Sequence, residues 1–247
     1  MKFRDQFSED YFDKLKASSS SLLVNSNTFD DLKEFPLMKG KQCLYVADWR
    51  SSLISFSRGV KEMLGYTKNE FDINLVTNFF HPDDKAIVER IISVSVKHLV
   101  SNKNGSLETY HLMTYRLKKK NGNYMKVLRK TLGYEFDENN LIISNMSLLT
   151  DISFMNTGNK VEWELYVKDL NVEKLRRDIH QQFIGFFSKR ELEIIGLIKD
   201  GLSSKMIAGE IHISQHTVRT HRKNIMRKIG GGNMTELLSF CKQNGIT

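Results

Sequence analysis

The sequence predicts two fold classes in one chain of 247 residues. The first is an α+β domain, an antiparallel sheet with helices on one face; the second is an all-α domain of four short helices. Three observations predict this. Between Leu44 and Ile152, strand-like segments at period two flank a stretch of helical spacing. From Phe186 onward every segment has helical period and its own start or stop signal. The charge is also uneven. Residues 186–247 hold ten Lys/Arg against five Asp/Glu, a net +5 that leaves only +3 of the total +8 for the other 185 residues.

In order along the chain, Ser8-Glu9-Asp10 is a cap with an acidic first turn, and Tyr11, Phe12 and Leu15 follow at helical spacing. A short amphipathic helix is expected there, within an extension over 1–41. Leu44–Trp49 and Ser52–Phe56 read as two strands around a tight Arg50-Ser51 turn, followed by a short helix with Val60, Met63 and Leu64 that stops at Gly65. Thr67 and Glu70 have the spacing of a capping box. His81-Pro82-Asp83-Asp84 opens a helix to about Val100, with Ile87, Val88, Ile91, Val94 and Leu99 on its buried side. Three longer strands come next: 106–118, 124–136 and 141–152, joined at Asn121-Gly122 and at 137–140. In the connector 156–185, residues 161–166 alternate like a further strand. Residues 171–182 read as a charged helix with Leu175 and Ile179 as its apolar pair.

The last sixty residues parse most sharply. Ser188 with Glu191 is a capping box for a helix over 189–199, stopped by Asp200-Gly201. Ser203 caps a second helix to about Ile211, and Ser214 a third to about Ile229, before Gly230-Gly231-Gly232. Asn233 with Glu236 opens the fourth. On the third helix Val218, Ile225 and Ile229 share one face, and His216, Arg219, Thr220, Lys223 and Arg227 lie opposite. Between Ser214 and Ile229 there are five Lys/Arg and no Asp or Glu. A short helix, a tight turn and a second helix with a cationic outer face fit the major groove of double-stranded DNA. The cations neutralise phosphates, and an arginine can bond two acceptors of guanine.

Ser188-Lys189-Arg190-Glu191, Gly201, Ser203-Ser204-Lys205, Ile207-Ala208, Ile213-Ser214, Thr217-Val218-Arg219, His221 and Lys228-Ile229-Gly230 together resemble the LuxR-type (GerE-like) helix-turn-helix. The resemblance implies a DNA-binding domain over 186–247 with its recognition helix at 214–229. It places base reading on Arg219, Thr220 and Lys223, and phosphate contact on Lys205, Thr217 and Lys228; Arg227 joins that group from the cationic face. It also implies a dimer contact through Leu237 and Phe240 of the last helix. Met206, Gly209 and Gly231 depart from the family pattern.

Upstream, Met63-Leu64-Gly65-Tyr66-Thr67, His81-Pro82-Asp83-Asp84, Tyr115–Gly122 and Thr150-Asp151-Ile152-Ser153 resemble the landmarks of a PAS domain over 42–155. That implies a sensory or dimerising module, some of which hold a ligand between sheet and helices. Which cofactor, if any, is unknown. No asparagine-cysteine-arginine flavin motif is present, so flavin-cysteine photochemistry is not expected. His98 near a helix end reads as a solvated residue rather than a haem ligand. No set of metal ligands has a recognisable spacing.

Cys43 and Cys241 are far apart, as expected in a reducing cytosol, and no stretch approaches 18 consecutive apolar residues. A cytoplasmic, non-enzymatic transcriptional regulator is therefore expected, with the nucleoid as its site when DNA-bound. Its partners would be double-stranded DNA and a second copy of itself, with RNA polymerase as a further one. The alternative is a signalling relay or scaffold whose basic C-terminal bundle binds a protein.

Overall fold

The computed structural model describes residues 29–101, 109–138, 142–155, 158–167 and 169–246. The helix expected around Tyr11, Phe12 and Leu15 lies outside the described residues. The element order is α1 (Asp30–Glu34), β1 (Gln42–Asp48), β2 (Leu53–Arg58), α2 (Val60–Leu64), α3 (Ile73–Asn78), α4 (Pro82–Ser101), β3 (Tyr110–Lys118), β4 (Tyr124–Phe136), β5 (Ile142–Asp151), β6 (Glu162–Tyr166), α5 (Val172–Phe183), α6 (Lys189–Lys199), α7 (Ser204–Glu210), α8 (Gln215–Lys228) and α9 (Met234–Gln243). None of these helices is long and apolar enough to cross a membrane. The chain divides into two compact units. One comprises the described residues within 1–81, 95–156 and 162–170, and the other those within 82–94, 157–161 and 171–247.

The first unit is built on a six-stranded sheet in the order β2-β1-β5-β4-β3-β6, antiparallel throughout. The Asn121-Gly122 signal lies in the loop between β3 and β4. There the Gly122 N–H donates to the Lys119 carbonyl at 2.9 Å and the Lys119 N–H to Asn123 at 2.8 Å. The alternating segment at 161–166 does join the sheet, as β6 on the outer edge of β3. Beyond the reach of β6, the stretch at Phe79–His81 lies along the same edge: the His81 N–H donates to the Arg116 carbonyl at 2.8 Å. That leaves little of the β3 edge open to another strand.

Alternation sorts the sheet residues onto two faces. On one, Leu44 and Val46 cluster with Leu32 of α1, and the ring of Phe29 stacks on Phe56 at 5.3 Å and on Tyr134 at 5.8 Å. On the other, Tyr45 meets the edge of Phe71 and Tyr115 the edge of Phe80, the side on which α4 approaches with Ser95. Gly59, the cap of α2, is a glycine for two reasons. Its φ is +76°, and a Cβ there would lie 2.6 Å from the Gln42 carbonyl oxygen of β1.

Two expectations are corrected here. Thr67 and Glu70 do bond, the Thr67 N–H donating to the Glu70 carboxylate at 2.9 Å, but they close a turn. The next helix, α3, is capped instead by Asp72, whose carboxylate accepts from the Leu75 N–H at 2.7 Å. Glu70 also binds Lys120 at 2.7 Å, which ties this turn to the β3–β4 loop. His98 is buried, not solvated. It continues the buried stripe of α4 through Ile91, Val94 and Ser95, and helical period carries that stripe on to position 98.

Candidate nucleic-acid interface

The second unit is assembled around a cluster of four phenylalanines. Phe183 at the end of α5, Phe186, Phe187 and Phe240 of α9 meet with ring centroids 4.9 to 6.5 Å apart. Leu237 and Phe240 are buried, at 0% and 4% exposure. Both were expected as dimer contacts; within one chain their side chains lie in the unit's own core. The reason is sequence-distant: Phe183, outside the helix-turn-helix itself, closes over α9.

Each helix begins where its cap residue sits. Ser188 and Glu191 form the reciprocal capping box of α6, with bonds of 3.2 and 2.7 Å. Ser203 accepts from the Met206 N–H and starts α7; Ser214 accepts from the Thr217 N–H at 3.0 Å and starts α8. Asn233 accepts from the Glu236 N–H at 3.0 Å and starts α9. The turn between α7 and α8 is held from outside. Arg190 donates to the Ile211 carbonyl at 2.8 Å, covering a helix-end acceptor, while Arg222 of α8 ties to the start of α7 by donating to the Ser204 hydroxyl at 3.2 Å. His212 in that turn has φ +51°. Gly231, just after α8, has φ +93° with open space around it, so the departure from the family pattern suits a left-handed position.

The two faces of α8 separate cleanly. Val218 and Ile225 are fully buried, as is Ile229 at its end, and His216, Arg219, Thr220, Lys223 and Arg227 are all exposed. Lys223 lies four positions after Arg219 and three after Thr220, so it presents together with both. The Thr220 hydroxyl donates to the His216 carbonyl at 3.2 Å, which leaves its lone pairs as the free function. Lys205 is exposed on α7, with Met206 and Gly209 also on the surface. Thr217 is half-buried, its hydroxyl 2.8 Å from that of Ser214.

Lys228 lies elsewhere. Its ammonium meets the Glu191 carboxylate at 2.6 Å and the Phe186 carbonyl at 3.2 Å, and sits 5.7 Å from the Phe187 ring. Burial pushes the Glu191 pKa up, but the hydrogen bonds from Lys228 and Ser188 outweigh this and hold the carboxyl below its ordinary value. Glu191 is therefore both half of a capping box and the ion-pair partner that fastens the end of α8 to the start of α6. Local spacing shows the first role; the second joins residues 37 apart and leaves no local trace.

Residues 186–241 match the family model of bacterial regulatory proteins, LuxR family, and residues 53–145 match that of the PAS fold. The likeness to the LuxR family thus falls within the C-terminal unit. Two curated relatives are the monoamine regulon transcriptional regulator of Klebsiella aerogenes and the response regulator protein VraR of Staphylococcus saprophyticus. The first is 30% identical over 99 residues, 40% of this chain and 43% of that protein. The second is 32% identical over 91 residues, 37% of this chain and 42% of that one. The chain thus spans less than half the length of these relatives. Among solved structures, the VqmA dimer of Vibrio cholerae is 14% identical, covers 90% of this chain and 89% of that one, and has a TM-score of 0.35.

Proposed function

We propose that the chain is a sequence-specific DNA-binding regulator of transcription, in which the PAS domain receives a signal or holds a dimer together and the LuxR-family module binds the operator. The observation that carries this is the outer face of α8. Five Lys/Arg and no acid occupy that helix, and Arg219, Thr220 and Lys223 are exposed on it together. In this reading those three side chains reach base edges, with Thr220 as a hydrogen-bond acceptor. Lys205 and Arg227 meet phosphates, and Thr217 does so from the first turn of α8. Lys228 assists through long-range charge while it holds Glu191.

The domain boundaries in this reading are 42–155 for the sensory domain and 186–247 for the DNA module, with 1–41 as an extension and 156–185 as connector. Two modules on one dimer would read half-sites about one helical turn apart. Since Leu237 and Phe240 are core residues, dimerisation falls to the PAS domain. The chain would act in the cytoplasm, at the nucleoid when DNA-bound, with RNA polymerase as a partner, and without catalysis of its own.

Binding of the full chain to random duplex DNA between about 50 and 200 mM salt tests the reading. Two cationic phosphate contacts in each of two modules, Lys205 and Arg227, predict roughly a hundredfold loss of affinity for the dimer over that range. Affinity that stays flat with salt would move the basic bundle to a protein partner.

A further inference from the structure

The inner face of the sheet holds polar side chains that supply more donors than acceptors. Register places Tyr45, Ser147, Thr131 and His111 side by side across β1, β5, β4 and β3, with Arg129 and Asn145 one same-face step to either side. On the Ser147 hydroxyl converge Arg129 Nε at 3.2 Å, Arg129 Nη2 at 3.1 Å, Asn145 Nδ2 at 3.2 Å and the Thr131 hydroxyl at 3.2 Å. One alcohol oxygen has only two lone pairs for them. Tyr45 and Tyr115, each 0% exposed, have hydroxyls with no hydrogen-bond partner among the described residues. Arg129 and Ser147 are close enough to bias the ionisation of these phenols, but neither reaches them in hydrogen-bonding geometry.

The charge on this face is equally one-sided. The Arg129 guanidinium lies 5.8 Å from the Tyr45 ring and pairs with no Asp or Glu among the described residues. His111, 3.4 Å from the Ser95 hydroxyl, is neutral: burial, and then the Arg129 charge, hold its pKa at about 3. One half-buried guanidinium, two buried phenols and a surplus of N–H donors share this face, and no Asp or Glu among the described residues pairs with them. Interiors ordinarily pair such a charge and satisfy such donors. A water could accept from the phenols but brings no counter-charge to the half-buried guanidinium, whereas a carboxylate offers about four acceptor positions and that charge.

We propose that this interior binds a small organic carboxylate, whose oxygens accept from Arg129 and from the Tyr45 and Tyr115 hydroxyls. Phe71 and Phe80, edge-on to the two tyrosines at 5.3 and 5.1 Å, give the rest of the molecule an apolar, aromatic surrounding. The regulatory meaning of such a ligand rests on the sensory role proposed above; its binding does not.

The test is a melting curve of the full chain with propionate, benzoate or phenylacetate, against the matching amides as uncharged controls. At least one acid should raise the melting temperature by about 5 °C or more, saturably, while its amide leaves it unchanged. No shift from any acid, or equal shifts from acid and amide, overturns the proposal. Arg129→Gln should abolish the shift. Tyr115→Phe guards against a variant that fails to fold. Without acid it should melt at the same temperature or higher, since it removes an unbonded hydroxyl, and its response to acid should shrink. A Tyr115→Phe chain that melts lower and responds in full would show the hydroxyl already satisfied, and would overturn the assignment. Affinity for random duplex DNA is measured alongside. Loss of DNA binding with the acid response intact defeats only the regulator reading; an absent acid response with DNA binding intact defeats only the carboxylate site.

Discussion

Arg129 and Arg219 carry the same group into opposite surroundings. Arg219 projects from α8 into solvent, on a face without acid. Arg129 faces inward from β4, against a serine hydroxyl and the ring of a buried tyrosine. An exposed guanidinium loses little by waiting for a partner, because water solvates it; the half-buried one on β4 is solvated less and gains more from a counter-charge. Removing what Arg129 touches should therefore disturb the fold, and removing Arg219 should disturb only binding. The largest expected effect is on the inner side. Ser147→Val takes away the oxygen on which Arg129, Asn145 and Thr131 converge and should lower unfolding stability by about 2–4 kcal/mol. Urea titration of the full chain measures it, and a loss within experimental error would erase the contrast.

Arg219→Ala is the counterpart. Stability should stay within about 0.5 kcal/mol of the parent, and affinity for the cognate operator should fall by about 1–3 kcal/mol with relaxed preference at one base position. Equal losses on operator and random DNA would move Arg219 to the phosphate-contacting group.

What the sequence discloses about these two regions differs for a physical reason. The caps Ser188, Ser203, Ser214 and Asn233 each act on an N–H three residues away, so the helices of the C-terminal unit are legible within a window of a few residues. The inward direction of Arg129 is not. On β4 the inner residues Val127, Arg129 and Thr131 alternate with Leu128, Lys130 and Leu132, and polarity alone assigns neither set to the core. Only the pairing of Thr131 with Ser147, and of Ser147 with Tyr45, gathers the polar row, and pairing is a tertiary fact. His98 is hard to place for a related reason: it lies near a helix end, and only its phase on the stripe of Ile91 and Val94 marks it as buried.

Glu191 lies between the two extremes, a buried carboxylate with its counter-charge already in place. Its folded pKa lies below its ordinary value near 4.5. The ion pair therefore stabilises fully above that value, and its contribution is lost as pH falls through the lowered folded pKa. Glu191→Gln should lower stability at neutral pH by about 1–2 kcal/mol, discounted because Lys228 is 36% exposed. As pH falls below about 4.5 the gap between parent and variant should narrow. A gap that widens on acidification would contradict the direction of the shift.

The smallest effect expected is at Lys205, and it separates two lysines that the family resemblance places in one class. Lys205 is exposed at the start of α7, and Lys228 is fastened to Glu191 and the Phe186 carbonyl. A lysine that meets a phosphate releases a counterion on binding, whatever the base sequence. Lys205→Ala should leave the melting curve unchanged and weaken operator and random DNA alike, by under about 1 kcal/mol at moderate salt. It should also reduce the slope of log affinity against log salt by about 1. Lys228→Ala should do the reverse. Stability should fall, because Glu191 loses its charge partner inside the unit, and the salt slope should change by less than a full contact. Equal slope changes from the two variants would put Lys228 on the DNA and require its bond to Glu191 to open when the operator binds.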